Sequence, residues 1–230
     1  MFSFFKTELR NYNRRYAKEY KFSGSLFYLW FLYFVVLPVG YICYKVKITG
    51  RENIDSKKRY IFAGNHNSYI DPPMVSLAVN QKVAYMAKEE LFTHKNRLLR
   101  NLVIWLRAFA VNRSKPELAT FKTLKEIAEQ TDWSIGIFPQ GTTTMGNDLT
   151  HIQKGFVLVA KKAKMDIVPV AIVGFDGYAK YPFHKSLTLK IGSPISYQLS
   201  DEEIMKRWIE FMCREAGYHH NNLEKFSAVK

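Results

Sequence analysis

The run from Ile167 to Val173, Ile-Val-Pro-Val-Ala-Ile-Val, contains no polar or charged side chain. A strand on a half-wet sheet would alternate. A strand apolar on both sides needs cover on both faces, which crossover helices supply. Shorter, largely apolar runs at Tyr60–Gly64, Val83–Ala87, Phe109–Val111 and Ser134–Phe138 read as further strands. So do Lys45–Thr49, with a turn at Gly50, and the alternating Leu187–Ile191. Between them apolar residues recur at helical spacing. The clearest case is Pro116–Thr131, where Leu118, Phe121, Leu124, Ile127 and Ala128 share a face. Helices also read over Asn96–Leu106 and Ile152–Ala163, and from Met74 to Val79 just after Pro72-Pro73. Ser200 caps a last helix from Asp201 to about Ala216. Alternating strands and helices give an α/β class. At 230 residues, without repeats or low-complexity tracts, the chain reads as one domain with a full core.

Between Lys21 and Lys45 no residue is charged, a stretch of 23. It is dense in aromatics (Phe22, Phe27, Tyr28, Trp30, Phe31, Tyr33, Phe34, Tyr41, Tyr44) and flanked by Arg14, Arg15, Lys18, Lys45 and Lys47. Its length suits a membrane span of about 20 residues. Pro38 and Gly40 interrupt the second half, so a kinked helix or a shallow two-helix hairpin fits as well as a straight span. A buried core helix is the bland alternative. Aromatics edged by lysine and arginine favour a membrane interface. Residues 1–21 read as a basic amphipathic helix, with Phe4, Phe5, Leu9, Tyr12 and Tyr16 set among Lys6, Arg10, Arg14 and Arg15. No small-residue cleavage site follows, which argues against a signal peptide.

The net charge of +14 calls for an anionic partner: nucleic acid, anionic headgroups, or acidic substrates such as phosphates or coenzyme A. Nucleic acid is disfavoured. The basic residues are spread along the chain, no nucleic-acid motif is present, and the aromatics gather in the uncharged stretch. Two distant cysteines, Cys43 and Cys213, give neither a disulfide framework nor a zinc ribbon and fit a reducing compartment. His151, His184 and His219-His220 lack ligand spacing with carboxylates, so no metal site is read.

Two short runs carry chemistry. Asn65-His66-Asn67-Ser68-Tyr69-Ile70-Asp71 follows a strand and sets a histidine five residues before an aspartate. A carboxylate on one ring nitrogen leaves the other free to take a proton. Phe138-Pro139-Gln140-Gly141-Thr142 places a Pro-Gly turn, with backbone N–H groups and hydroxyls, at another strand's end. Together they suggest deprotonation of a hydroxyl beside an anion-binding loop. Ser68 reads as a turn residue.

Over residues 46 to 197 the chain resembles glycerolipid acyltransferases of the 1-acyl-glycerol-3-phosphate acyltransferase type. The blocks are Ile48-Thr49-Gly50-Arg51-Glu52-Asn53-Ile54, Asn65-His66 to Asp71, Ala87-Lys88-Glu89-Glu90-Leu91-Phe92, Val111-Asn112-Arg113-Ser114, Phe138-Pro139-Gln140-Gly141-Thr142, and Lys154-Gly155-Phe156 with Val168-Pro169-Val170-Ala171-Ile172. The resemblance implies a mixed, largely parallel sheet flanked by helices, with an N-terminal helical membrane anchor. It implies an anchoring region over 1–45, a catalytic domain over 46–217 and a polar tail over 218–230. His66 would be the base and Asp71 its partner. Arg113, Gln140, Gly141, Thr142, Thr143 and Lys154 would bind substrate. The implied reaction carries a fatty acyl group from acyl-CoA or acyl carrier protein, as co-substrate and without a cofactor, to a lyso-glycerolipid hydroxyl. It implies a membrane-associated protein on the cytoplasmic face.

Two positions depart from the family. Gln140 stands where glutamate is usual, and Thr143 where arginine is frequent. Glutamine carries no charge and can donate as well as accept. The Gly141–Thr144 run resembles members that reacylate lysophospholipids. The alternative is a weakly active or inactive lipid-binding protein of the same fold, against which His66 and Asp71 stand intact.

Overall fold

The computed structural model describes residues 14–111, 118–141, 149, 152–174, 180–184 and 186–219. Among these residues seven strands form one sheet in the order β1-β7-β6-β2-β5-β3-β4. They are β1 (Lys47–Thr49), β2 (Ile61–Gly64), β3 (Val83–Lys88), β4 (Phe109–Val111), β5 (Ser134–Ile137), β6 (Ile167–Val173) and β7 (Thr188–Ile191). The wholly apolar run is β6, buried through Ile172. It lies parallel to β2 with Ala63 beside Pro169, and antiparallel to β7. β2 pairs in parallel with β5, β5 with β3, and β3 with β4. β1 pairs in parallel with β7, so these two run against the other five. The sheet is therefore mixed and mostly parallel.

Helices fill the connections: α1 (Phe22–Phe31), α2 (Asp71–Val79), α3 (Arg97–Trp105), α4 (Leu118–Gln130), α5 (Gly155–Ala163) and α6 (Asp201–Ala216). From β2 through α2 the chain moves towards β3. From β5 through α5 it moves the opposite way, to β6. Right-handed crossovers then place α2 and α5 on opposite faces of the sheet. α4 packs on α5, and α6 on β6. The reversal of direction at β2 opens a crevice at its carboxyl end, where open α/β sheets bind ligands. Trp133 and Trp208 are fully buried, and each ring N–H finds a carbonyl: Trp133 Nε1 donates to Tyr20 O at 2.8 Å and Trp208 Nε1 to Ala63 O at 2.9 Å.

The uncharged stretch is neither a hairpin nor a broken pair. One continuous helix runs from α1 through π-helical turns at Leu32–Val36 and Val39–Cys43. Its buried side is Tyr28, Leu32, Val36, Gly40 and Tyr44, a residue every fourth position. An α-helix of 3.6 residues per turn would rotate such a stripe by roughly 40° per step. Wider π turns rotate it back, so the mixture keeps the stripe straight along α2. A π turn also precedes Pro38, whose ring would strike the carbonyl four residues back in a regular helix. Gly40 eases close approach: a Cβ there would lie a tight 3.0 Å from Leu77 Cδ2.

The basic amphipathic helix expected over 1–21 does not extend through its described part. Residues 1–13 lie outside the described residues. Arg14–Tyr16 are non-helical, and Ala17–Tyr20 make one 3₁₀ turn. This segment is held by tertiary contacts. Arg15 is buried, its guanidinium donating to Ala108 O at 3.0 Å, Ile104 O at 3.1 Å and Glu19 at 2.8 Å. Arg14 and the Ala17 N–H both bond Glu126 on α4. Cys43 and Cys213 are free thiols.

Candidate active site

Gly64 ends β2, and the next residues cross the sheet's carboxyl edge into α2. Asp71 is the first residue of that helix, followed by Pro72 and Pro73, which suit a first turn where N–H groups have no helical partner. A carboxylate there also faces the positive end of the helix dipole. Asp71 is 0% exposed. Its Oδ2 accepts from the Asn67 N–H at 2.7 Å and the Ser68 N–H at 2.8 Å, and lies 2.9 Å from His66 Nδ1. A carboxylate only accepts, so Nδ1 carries the hydrogen and the lone pair falls on Nε2. The His66 ring stacks on Phe138 at 4.2 Å and 17°. Phe138 stacks in turn on Tyr85 at 5.8 Å. Gly136 makes room for Tyr85, because a Cβ there would sit 2.2 Å from its ring. Burial pushes the Tyr85 phenol well above its ordinary range. It therefore stays a donor, reaching Pro72 O at 2.7 Å at the start of α2.

The second run closes against the first. Phe138, Pro139, Gln140 and Gly141 form a turn in which the Gly141 N–H donates to Phe138 O at 2.9 Å. Gly141 has φ +76°, a left-handed conformation that a side chain would strain. Gln140 is buried, and its Oε1 accepts the His66 backbone N–H at 2.9 Å. At least one of its polar atoms thus holds the histidine's backbone. A cavity of about 480 Å³ opens beside this pair. His66 and Gly141 line it, together with apolar residues that include Met86, Leu99, Leu102, Val103, Phe121 and Leu124. Phe31 of the uncharged helix lines it too. The arrangement presents a histidine with a fixed tautomer on the wall of a largely apolar pocket.

That geometry coincides with a match in sequence. Residues 45–173 match the Acyltransferase family. The chain belongs to that family. The 1-acyl-sn-glycerol-3-phosphate acyltransferase of Borreliella burgdorferi is 30% identical over 135 residues, 58% of this chain and 53% of that protein. The enzyme of the same name from Streptococcus pneumoniae is 29% identical over 152 residues, 64% of this chain and 55% of that one. The chain thus spans about half the length of the curated relatives it matches. The crystal structure of the 1-acyl-sn-glycerophosphate acyltransferase of Thermotoga maritima shares the fold. Its TM-score is 0.56 at 23% identity, over 93% of this chain and 80% of that one.

Within this acyltransferase-family fold the residues expected from sequence divide into three groups. His66, Asp71, Gln140 and Gly141 are brought together. Lys154 is exposed at the start of α5, between Gln153 and Gly155, which both line the cavity. Arg113, Thr142 and Thr143 lie outside the described residues. Among the described residues no cluster of three or more His, Cys, Asp or Glu is placed to hold a metal ion. Phe138, Tyr85, Asn65 and Tyr218 also shape the site. Asn65 and Phe138 sit inside the two runs and could have been read there. Tyr218 falls in the polar tail expected after Gly217, yet it is buried at 4% exposure.

Proposed function

We propose that this chain transfers a fatty acyl group from a thioester donor to the free hydroxyl of a lyso-glycerolipid at a membrane. The observation that carries this reading is His66, fixed by Asp71 at one ring nitrogen and lining a largely apolar cavity of about 480 Å³. Nε2 takes the proton of the acceptor hydroxyl as its oxygen attacks the thioester carbonyl. The tetrahedral intermediate collapses, the carbon–sulfur bond breaks, and the imidazolium returns the proton to the leaving thiolate. Asp71 stabilises the cation between these steps. The thiol leaves readily, so no enzyme nucleophile is required, and the donor is a co-substrate rather than a cofactor. The apolar walls suit an acyl chain.

The acceptor is 1-acyl-glycerol-3-phosphate or a lysophospholipid. Arg113, Lys154 and the hydroxyls of Thr142 and Thr143 are assigned to its anionic headgroup. A guanidinium fork suits phosphate geometry. The names of the relatives from Borreliella burgdorferi and Streptococcus pneumoniae favour lysophosphatidic acid. Thr143, in place of a cation, favours a headgroup with less charge. The donor is acyl-CoA or acyl carrier protein. A +14 chain with a basic-flanked apolar helix is assigned to the cytoplasmic face of a membrane.

The test is transfer from labelled acyl-CoA and acyl carrier protein to a panel of lyso-lipids, in membranes carrying wild type or His66→Ala. Removing a general base lowers the rate by about 10²–10⁴-fold. Transfer by wild type that survives the substitution overturns the role of His66. No transfer to any acceptor, with membrane binding retained, supports the non-catalytic alternative.

A further inference from the structure

Gly217, at φ +71°, ends α6 with a left-handed cap and turns the chain back onto the carboxyl edge of the sheet. Tyr218 is the first residue after that turn. Its hydroxyl accepts from Asn65 Nδ2 at 3.1 Å and donates to Asn67 Oδ1 at 2.9 Å. These are the two neighbours of His66. Asn65 is itself clamped to β6, donating to Ile172 O at 2.9 Å and accepting the Ile172 N–H at 2.7 Å. The next residue, His219, accepts the Leu149 N–H through its carbonyl at 3.1 Å, and Leu149 is buried. One dipeptide therefore grips the loop that carries His66 and also the chain downstream of the Gly141 turn.

We infer that Tyr218 is a positioning residue for His66. It is buried and does not line the cavity, so it acts on the reaction only through the loop. A phenol suits the place because it accepts on one side and donates on the other. Neither asparagine could replace that bridge alone. Fixing the loop on both sides of His66 sets where Nε2 points, and a misplaced catalytic group slows a reaction by up to about 10²-fold. Tyr218 forms no part of the cavity wall, so its loss should fall on kcat rather than on KM. The inference rests on His66 acting as the base.

Tyr218→Phe keeps the ring and removes both hydrogen bonds. The transfer assay should show kcat down by roughly tenfold, with KM unchanged. Hydrogen exchange at the Asn67 and Ser68 amides should rise in the variant, because their acceptor Asp71 Oδ2 no longer faces a fixed loop. Full kcat overturns the inference, as does a fall in kcat accompanied by an equal rise in KM. Where Tyr218→Phe fails to fold, Asn67→Ala removes the same bridge from the other side and should give the same kcat loss. Its retention of full kcat is equally fatal. If wild type transfers nothing, the proposed activity fails by itself, and unchanged exchange in Tyr218→Phe then rejects the positioning role separately.

Discussion

Gln140 stands at a position where a carboxylate is usual, and its amide oxygen accepts the His66 N–H at 2.9 Å. That bond asks only for an acceptor, and a glutamate oxygen would make it equally well. Gln140→Glu should therefore keep the loop in place and retain transfer within a fewfold of wild type. Gln140→Ala strands a half-buried N–H at a penalty of about 1–3 kcal/mol. It should cut kcat by roughly tenfold or more. Steady-state kinetics of both variants decides, and equal losses would show that the headgroup contact, not the backbone bond, matters at this position. At this scale the sequence was readable where residues act locally. His66 and Asp71 meet because a strand end and a helix start lie five positions apart, and Gly141 has the positive φ its turn demanded. Tyr218 was not readable. Its partner Asn67 lies 151 positions away, and no local pattern reveals that a helix cap turns back onto the sheet.

The uncharged helix shows what periodicity can and cannot tell. With the turn that leads into it, the stretch from Ala17 to Cys43 is 27 residues long with a mean hydropathy of 2.0 in its most apolar window, enough by length and composition to cross a bilayer. Composition could not reveal that one stripe of it is packed against α2. The remaining face presents Leu26, Trp30, Phe34 and Ile42, again about every fourth residue, and Phe34 is 71% exposed. A helix fastened to its domain along one side offers lipid a stripe rather than a full circumference, which suits seating in one leaflet. The two stripes respond differently to substitution. For the proposed membrane contact, Phe34→Ser on the exposed stripe should lose about 2 kcal/mol of apolar burial, roughly a thirtyfold loss of vesicle partitioning, with the fold intact. Leu32→Asp buries an unpaired charge against the domain and should abolish folding. Vesicle sedimentation and circular dichroism separate the two. Partitioning unaffected by Phe34→Ser would remove this stripe from the membrane contact.

At the scale of the whole molecule, the alternation of strands and helices was legible because each element is amphipathic or apolar in its own period. The way distant segments lock the elements together was not, since those contacts rest on single polar residues. The segment from Arg14 to Tyr20 is the main case. It ties the entrance of the uncharged helix to α4 through Glu126 and to the end of α3 through Arg15. Phe27 then packs edge-on against Trp105 at 5.3 Å, which joins the apolar helix to α3, a wall of the cavity. Burial raises the Glu126 carboxyl, but hydrogen bonds from Arg14 and the Ala17 N–H, with the Arg14 charge, outweigh it and leave it below its ordinary 4.5. A carboxyl depressed in the folded state is more readily protonated when the segment is released. Its contribution to docking is complete above pH 4.5 and is lost as pH falls through the lower folded value. Hydrogen exchange at Ala17, corrected for its intrinsic rate, should therefore quicken in wild type as pH is lowered from 4.5 through the depressed folded value. Glu126→Gln keeps an acceptor for the Ala17 N–H but cannot titrate, and its exchange should stay flat over the same range. Parallel pH courses in the two proteins would show that some other group governs the release, and that Glu126 does not hold the segment before the apolar helix to α4.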